Sequence, residues 1–447
     1  MMRFLYALIL TVVLFGCNST PSPTGLILDA NPGADSGNPN SMFQYDGKIL
    51  VQLTTPELGS EIWAYDGKKL QVFSDIQPGS GHSVPSRFVV YKDKLYFTAV
   101  KEPYGRELFV QNGSSAQLIK DIGDSPSSSN PNGLTVFNDV LLFSANDDVS
   151  GFELWQFDGK NVSLVSNIND DSRSSNPIGF AELNGIAYFS AEKTGFGTEL
   201  FQYDGAKVEM VSDLNPGPSG SRPQELIRLG STLYFMAFTP DLGLELWSYD
   251  GLNMSNVTDL YPGTESSSPR SLKIVGDRLV FAANTPDSGV ELYSLLEGQQ
   301  PELAAEIRPG ERGSEPQQLF VFGNKLYFSA DDGEHGPELW SWSSDAGATL
   351  ISDIEEGSLG SNPFSFIRYD DTWVYFSART EKYGIEGWRT NGTITEMVLD
   401  LWPGSEGSTP NDYGTVKNQI CYSASDGVHG REFFCITHDD IKPVVSR

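Results

Sequence analysis

The chain has 447 residues, of which 59 are Asp or Glu and 30 are Lys or Arg, and its formal net charge at pH 7 is -29. A surface this acidic repels nucleic acid and anionic lipid, so the sequence argues against a nucleic-acid-binding function. The length exceeds that of most single-core domains, so we expect either several domains or one repeat architecture.

A short apolar segment stands near the start of the chain. Arg3 precedes an apolar run over residues 4–15, which is too short to cross a bilayer as a retained helix. The run ends in the sequence LFGC, whose last residue is Cys17. This ending resembles the bacterial lipobox, in which small residues precede a cysteine that is acylated before cleavage.

The resemblance implies a signal peptide over residues 1–16 and a lipid on Cys17, followed by a flexible tether over 17–24. The alternative is an ordinary signal peptide that contains a cysteine. Residue 18 is Asn18 rather than Asp, so the inner-membrane retention signal of enteric bacteria is absent and the outer membrane is the expected anchor. The sequence leaves open which face of that membrane the protein occupies.

An internal repeat of 46 or 47 residues extends over the rest of the chain. Each copy opens with an acidic or amide residue followed by an apolar one, at Asp29, Asp75, Asp121, Asn167, Asp213, Asp259, Glu306, Asp353 and Asp400. A proline follows ten residues later in every copy, and eight copies have serine two residues before that proline. Repeats of this period are typical of solenoids and propellers, and they take precedence over individual elements.

Each copy also contains four short β-type runs separated by turn signals. In the sixth copy these runs are SLKIV, RLVFAA, VELYSL and PELAAEI. Dipeptides such as GD and GN separate the first pair of runs, and DG or NG the last pair. Such dipeptides favour two-residue hairpin turns, and helix-length amphipathic periodicity is absent. The pattern predicts an all-β fold, a β-propeller of about nine four-stranded antiparallel blades that occupies residues 25–447. A parallel β-helix is the rival, but its coils are shorter and lack repeated hairpins.

Three segments of the repeat carry a family resemblance. The runs EIWAYDG, ELWQFDG and ELWSYDG, with the D-[IL]-x-PG-x-x-x-S-x-P and LYFSA segments, resemble the ELWxxDGT repeat of bacterial secreted and surface proteins. The resemblance implies an extracytoplasmic propeller-like protein and brings no established chemistry. The final threonine is mostly absent here.

Two segments compete for the outer edge of the last blade. The run over residues 25–29 (GLILD) stands where a fourth strand belongs before the first copy, and the run over 442–446 (KPVVS) has the same place after the ninth. Pro443 disfavours a paired strand, so we expect residues 25–29 to close the ring.

Cys421 and Cys435 flank a predicted hairpin loop in the last copy. Their even spacing puts both side chains on one face of neighbouring strands, and the expected compartment is oxidising, so we predict a disulfide. Two buried free thiols are the alternative.

A glutamate recurs in all nine copies as part of the sequence G-x-E, two residues before an aromatic. We predict that these glutamates accept hydrogen bonds from backbone or linker serines, because structural contacts repeat in every unit whereas a catalytic site is normally unique. A ring of carboxylates that binds cations or lines a channel is the alternative. The nine are Glu61, Glu107, Glu153, Glu199, Glu245, Glu291, Glu338, Glu386 and Glu432.

No catalytic or cofactor motif stands out. The aromatics that follow these glutamates are expected in the core, with a sugar-stacking platform as the alternative. The leading acidic residues allow calcium, but they lack the alternating ligands of a recognised calcium loop, and no other cofactor is expected. His335 and His429 occupy equivalent positions in the repeat and are read as repeat features.

The sequence therefore favours a non-catalytic, lipid-anchored envelope or surface module that binds or scaffolds. Its partners would be the membrane, through the lipid, and an unidentified envelope protein or glycan. The alternative is a periplasmic or extracellular hydrolase or lyase with its site at the channel mouth. Fold alone does not choose between them.

Overall fold

The computed structural model describes residues 25–447, so Cys17 and the predicted signal peptide and tether lie outside the described residues. The described part of the chain forms nine antiparallel sheets, eight of four strands and one of five. These sheets form a nine-bladed β-propeller, which confirms the fold predicted from the repeat.

The strands of the first five blades follow one another in chain order after β1 (Leu26–Leu28), which belongs to the last blade. Blades 1 and 2 contain β2 (Asn40–Tyr45), β3 (Lys48–Thr55), β4 (Gly59–Tyr65), β5 (Leu70–Ser74), β6 (Ser86–Tyr91), β7 (Lys94–Lys101), β8 (Gly105–Asn112) and β9 (Ser115–Lys120). Blades 3 to 5 contain β10 (Asn132–Phe137), β11 (Val140–Asn146), β12 (Phe152–Phe157), β13 (Val162–Ser166), β14 (Ile178–Leu183), β15 (Ile186–Lys193), β16 (Gly197–Tyr203), β17 (Val208–Ser212), β18 (Gln224–Leu229), β19 (Thr232–Thr239), β20 (Gly243–Tyr249) and β21 (Met254–Asn256).

The remaining strands complete the ring. Blades 6 and 7 contain β22 (Arg270–Val275), β23 (Arg278–Thr285), β24 (Gly289–Leu296), β25 (Glu302–Ala305), β26 (Gln317–Phe322), β27 (Lys325–Asp331), β28 (Pro337–Ser343) and β29 (Gly347–Ser352). Blades 8 and 9 contain β30 (Phe364–Arg368), β31 (Val374–Thr380), β32 (Gly384–Thr390), β33 (Thr395–Leu399), β34 (Asn411–Val416), β35 (Gln419–Ser425) and β36 (Arg431–Thr437), and a 3-10 helix (His438–Asp440) and β37 (Val445–Ser446) follow. Among residues 25–447, no helix has the length and apolar character needed to cross a membrane.

The first strand of each blade lies innermost, because the first strands of neighbouring blades contact one another around the ring. One end of the ring carries the linkers between blades and the loops that join second to third strands. We call this end the linker face, and the opposite end, which carries the tight turns, the hairpin face. Each innermost strand therefore begins at the linker face and ends at the hairpin face.

The turns on the hairpin face are of two kinds. In eight blades the first two strands are joined by two residues, in agreement with the predicted hairpins. Both have positive φ in four blades, as at Asn184 (54°) and Gly185 (78°), and only the first does in the other four, as at Gly230 (60°). Blade 8 has a longer loop, because Arg368 pairs with Val374.

The prediction of the same turn between third and fourth strands is wrong in five blades. There a four-residue loop begins with Asp or Asn, and its side chain caps the loop, as Asp66 Oδ1 does by accepting the N–H groups of Lys68 and Lys69, both at 2.8 Å.

The core consists of layers between neighbouring blades. Trp155 of blade 3 packs with Tyr91, Tyr96 and Leu108 of blade 2, so the aromatic beside each repeated glutamate serves packing between blades, as expected. Phe189 and Phe235, from the aromatic–x–Ala segment, are fully buried. Every blade therefore buries both faces of its sheet against its neighbours.

The ring closes through β1. Leu26 and Leu28 pair with Phe434 and Phe433 of β36, which makes β1 the outer strand of blade 9, as predicted for residues 25–29. We expected the C-terminal segment to compete for that edge, but it pairs with a different blade. Because β1 occupies it, the chain turns away after β36, and Val445 pairs instead with Met397 on the outer edge of blade 8.

Candidate ligand-binding site at the channel mouth

The nine repeated glutamates lie inside the ring, with at most 1% of any of them exposed. Each extends from the start of the third strand towards the linker that leaves its own blade. In blade 7, Glu338 accepts the N–H groups of Ile354 and Glu355, both at 3.0 Å. It also accepts the N–H of Ser361 at 2.9 Å and its hydroxyl at 2.6 Å. The carboxylate is therefore fully used in holding the linker.

The same arrangement closes the ring between its last and first blades. Glu432 of blade 9 accepts the N–H of Ala30 at 3.1 Å and that of Gly37 at 2.6 Å. Gly37 stands where the other eight copies have serine, so this linker is held through backbone groups alone. The segment after β1 thus docks on blade 9 as every other linker docks on its blade.

Burial shifts the proton affinity of these carboxyl groups. Removal from water raises the pKa of Glu61, Glu338, Glu386 and Glu432 to about 7, against the lowering effect of their hydrogen bonds. Because neither oxygen reaches solvent, these groups are not placed to act on a ligand.

The other predicted site residues occupy separate places. Cys421 and Cys435 face each other on β35 and β36, and a disulfide joins them. His335 and His429 lie in equivalent loops on the linker face, where their Nδ1 atoms lie 2.8 and 2.7 Å from the carboxylates of Asp332 and Asp426. The two histidines lie in different blades and form no common site.

The leading acidic residues cap the linker turns in at least one blade. Asp121 Oδ2 accepts the hydroxyl of Ser125 at 2.6 Å and its N–H at 3.3 Å. Over residues 25–447, no group of three or more His, Cys, Asp or Glu side chains is arranged to hold a metal ion.

Each innermost strand begins with an irregularity at the channel mouth on the linker face. The register shifts after its first residue, and the second residue has a positive φ, for example 55° at Arg87 and 50° at Asp412. Such bulges redirect side chains, here at the place where nine strands converge. The residues at these positions differ from blade to blade.

Two clefts open at this mouth, one over blade 3 and one over blade 9. The cleft over blade 9 has a volume of about 570 Å³ and that over blade 3 about 230 Å³. The first is lined by Asn38, Pro39, Asn40, Ser365, Asn411, Asp412, Ser423 and Arg431. The second is lined by Arg87, Asn130, Asn132, Ser144, Phe152, Asn176 and Ile178.

The two clefts are built on the same positions of the repeat. Each has an asparagine at the start of the innermost strand, Asn132 or Asn411, and a buried serine on the second strand behind it. In both, the asparagine Oδ1 accepts a hydrogen bond from an arginine, from Arg87 Nε at 2.9 Å and from Arg431 Nη1 at 3.3 Å. The arginine comes from the preceding blade in the first cleft and from the same blade in the second.

The acidic residue in the blade 9 cleft is already engaged. Asp412 Oδ2 accepts the N–H of Met42 at 3.4 Å, which connects blade 9 to the innermost strand of blade 1. Burial raises the pKa of Asp412 and lowers that of Arg431. Within the described chain, neither cleft lining contains histidine, cysteine or a pair of carboxylates.

These clefts were missed by reasoning from the sequence. Each combines residues of three blades that are adjacent in the ring. In the blade 3 cleft these residues are about one repeat apart along the chain, whereas the blade 9 cleft joins Asn40 and Asn411, from the first and last blades. A signal was available at the position between the repeated glycine and glutamate, where only Arg106 and Arg431 are charged. An alignment of the nine copies by position would have exposed this departure.

Comparison with known proteins adds no family. No protein-family model matches the chain, and no curated protein matches it. Among solved structures, a puromycin-hydrolysing peptidase of Mycobacterium tuberculosis is 12% identical with a TM-score of 0.41, over 76% of this chain and 57% of that one. A structure of prolyl endopeptidases is 10% identical with a TM-score of 0.42, over 84% of this chain and 55% of that one.

A third solved structure is a propeller domain by itself. The β-propeller domain of the Trilobed protease from Pyrococcus furiosus is 12% identical with a TM-score of 0.37, over 71% of this chain and 98% of that domain. The match spans little more than half the length of the two peptidases above. We transfer no functional residue from these structures.

Proposed function

We propose that the protein is a non-catalytic binding propeller of the bacterial cell envelope, which recognises its ligand at the clefts on the linker face. One observation carries the proposal: the glutamates that recur in all nine blades are buried and bonded to their linkers inside the ring, whereas polar groups that differ between blades line the channel mouth. A hydrolase or lyase needs a nucleophile or acid–base pair within hydrogen-bond reach of its substrate. The cleft linings contain amides, arginines, serines with no histidine beside them, and one carboxylate, that of Asp412, which already accepts the N–H of Met42.

The proposal also assigns an anchor. Cys17, at the end of a segment that resembles a lipobox, would carry the lipid and hold the propeller at the outer membrane. The resemblance of the repeat to the ELWxxDGT family supports an extracytoplasmic location. Metabolic labelling with palmitate tests this part, since the label should be lost in Cys17→Ser, and a labelled Cys17→Ser protein would contradict it.

Binding at the mouth is tested by filling each cleft with a large side chain. Residues 18–447, which contain every described strand, should bind isolated bacterial envelopes saturably. Asn132→Trp or Asn411→Trp should weaken this binding at least ten-fold. Ser163→Trp, on the exposed outer strand of blade 3, is the matched control and should leave it within two-fold.

Two results would contradict the proposal. The first is unchanged envelope binding when both clefts are filled. The second is turnover of ester, peptide or glycoside substrates that is lost in Asn132→Trp or Asn411→Trp, which would favour the hydrolase alternative.

A further inference from the structure

The cleft over blade 3 carries an uncompensated positive charge. Arg87 is exposed, and its Nε is fixed by Asn132 Oδ1 at 2.9 Å. Among the ion pairs of residues 25–447, none involves Arg87 or the neighbouring Arg106, so neither has a carboxylate within 4.0 Å. Eight of the fourteen arginines in residues 25–447 pair with a carboxylate, whereas the Arg87 guanidinium is oriented by a neutral amide and has no anion beside it. Such a group is ready to bind an oxyanion.

A second arginine strengthens the positive potential beside this cleft. The Arg106 guanidinium crosses blade 2 and donates to the Val84 carbonyl at 3.0 Å and to the Ser86 hydroxyl at 3.3 Å. Burial, together with the nearby charge of Arg87, lowers the pKa of Arg106. Two cations therefore lie close together on blade 2 with neutral partners, and no carboxylate lines the adjoining cleft.

The lining of the cleft also includes one aromatic ring, that of Phe152. Phe152 follows the repeated glycine of blade 3, at the position that Arg106 and Arg431 occupy in blades 2 and 9. Its backbone N–H donates to the hydroxyl of Ser174 at 2.9 Å, which fixes the strand at this point. The half-buried ring lines the cleft and offers an apolar face to a ligand.

Amide groups complete the lining. The side-chain nitrogen of Asn132 and the whole side-chain amide of Asn176 have no hydrogen-bond partner among the described residues, and both side chains are exposed. An amide both donates and accepts, as a sugar hydroxyl does. Apolar pockets that would anchor the side chains of a peptide are absent from this lining, whose only apolar members are Phe152 and Ile178.

We propose that the blade 3 cleft binds a saccharide that carries an oxyanion substituent, a carboxylate or a sulfate. Arg87 binds the oxyanion, Phe152 packs against the face of the sugar ring, and Asn132 and Asn176 bind its hydroxyl groups. This assignment rests on the proposed binding function and specifies its ligand class. The blade 9 cleft is a built-in comparison, because it lacks the aromatic ring and contains the carboxylate of Asp412 beside Arg431.

Isothermal titration of residues 18–447 with trigalacturonate, and with its neutral methyl ester, isolates the contribution of the negative charge. We expect saturable binding of the acid and at least ten-fold weaker binding of the ester. Arg87→Gln should weaken binding of the acid about ten-fold, to the level of the ester, and Phe152→Ala should weaken both ligands alike. Arg222→Gln removes another exposed arginine of the linker face that lines neither cleft, and should change neither.

Four results would overturn the assignment. They are equal binding of acid and ester, an effect of Arg222→Gln as large as that of Arg87→Gln, binding of tetra-aspartate as tight as that of the saccharide, and binding of inorganic sulfate as tight as that of the saccharide. The third would indicate an acidic peptide and the fourth a site for a free anion. If none of the saccharides binds while envelope binding still depends on Asn132 or Asn411, the ligand class fails and the proposed function stands.

Discussion

The linkers between blades and the channel mouth contain residues that are adjacent in the chain but differ in how far they recur among the nine copies. In the linker between blades 3 and 4, Ser175 donates its hydroxyl to the buried Glu153 at 2.6 Å, and the next residue, Asn176, lines a cleft. The serine recurs in eight of the nine copies, whereas the residue after it is Asn, Val, Arg, Ser, Glu or Thr in different blades. One position holds the ring together, and the adjacent one is free to vary.

The difference teaches how to find function in a symmetrical fold. A group that every blade needs for closure must repeat, so its recurrence reports on stability. A ligand breaks the symmetry, because it occupies one place on the ring. Variants of the two regions should therefore affect different measurements.

Removing β1 should have the largest effect on the ring. Deletion of residues 25–29 exposes Phe434 and leaves the outer edge of blade 9 unpaired, so we expect a loss of about 3–5 kcal/mol in the free energy of unfolding. Chemical denaturation measures it. Deletion of residues 442–447, which removes β37 from blade 8, is the control and should cost much less. Equal losses for the two deletions would contradict closure through β1.

Removing one repeated carboxylate should come next. In Glu245→Ala, the hydroxyls of Ser267 and Thr258 and the N–H of Ser267 lose a buried acceptor, for an expected cost of about 2–4 kcal/mol. Thermal unfolding followed by circular dichroism measures the change, and Glu245→Gln, which keeps one acceptor oxygen, should lose less. Intact stability with lost ligand binding would assign the glutamate to a site instead.

The pH dependence of stability should reflect the same carboxyl groups. Burial raises the pKa of Glu338 to about 7 in the folded chain, above its value in the unfolded chain. The folded state therefore binds more protons between these values, so stability is gained as the pH falls and lost as it rises through about 7. We expect a Tm several degrees higher near pH 5.5 than near pH 8. Glu338→Gln should reduce that difference, and a higher Tm at the alkaline end would contradict it.

The smallest effect on stability is expected at the mouth. Asn411→Ala removes one long hydrogen bond to Arg431, of 3.3 Å, and should change the free energy of unfolding by about 0.5 kcal/mol or less. Under the proposed function, the same variant weakens envelope binding. A loss of stability comparable to that of Glu245→Ala would remove the distinction between the two regions.

Much of the ring could be predicted because its rules are local and repeated. Four runs with turn signals in each copy indicated a blade. The run over residues 25–29, which stands where a fourth strand belongs but precedes the first copy, indicated the closing strand. The four-residue loops were missed because Asp66 and its equivalents cap a longer turn with the same Asp-Gly sequence. The place of Val445 could not be read from the sequence, since it depends on β1 having already filled the edge of blade 9.

The clefts escaped prediction for a related reason. Arg87, Asn132 and Asn176 belong to three blades, and only the convergence of innermost strands at the axis brings them together. The repeated glutamates attracted attention because they are charged and numerous. Their burial shows that repetition was the signature of packing. The charged departures at Arg106 and Arg431 were the more informative signal.

The most direct test measures the unfolding midpoint and the trigalacturonate affinity of Glu245→Gln and Arg87→Gln under one set of conditions. Glu245→Gln in blade 5 should lower the midpoint and leave the affinity of the folded protein unchanged. Arg87→Gln should leave the midpoint unchanged and weaken binding about ten-fold. A single variant that changes both quantities, or an exchange of the two outcomes, would contradict the division between ring and mouth.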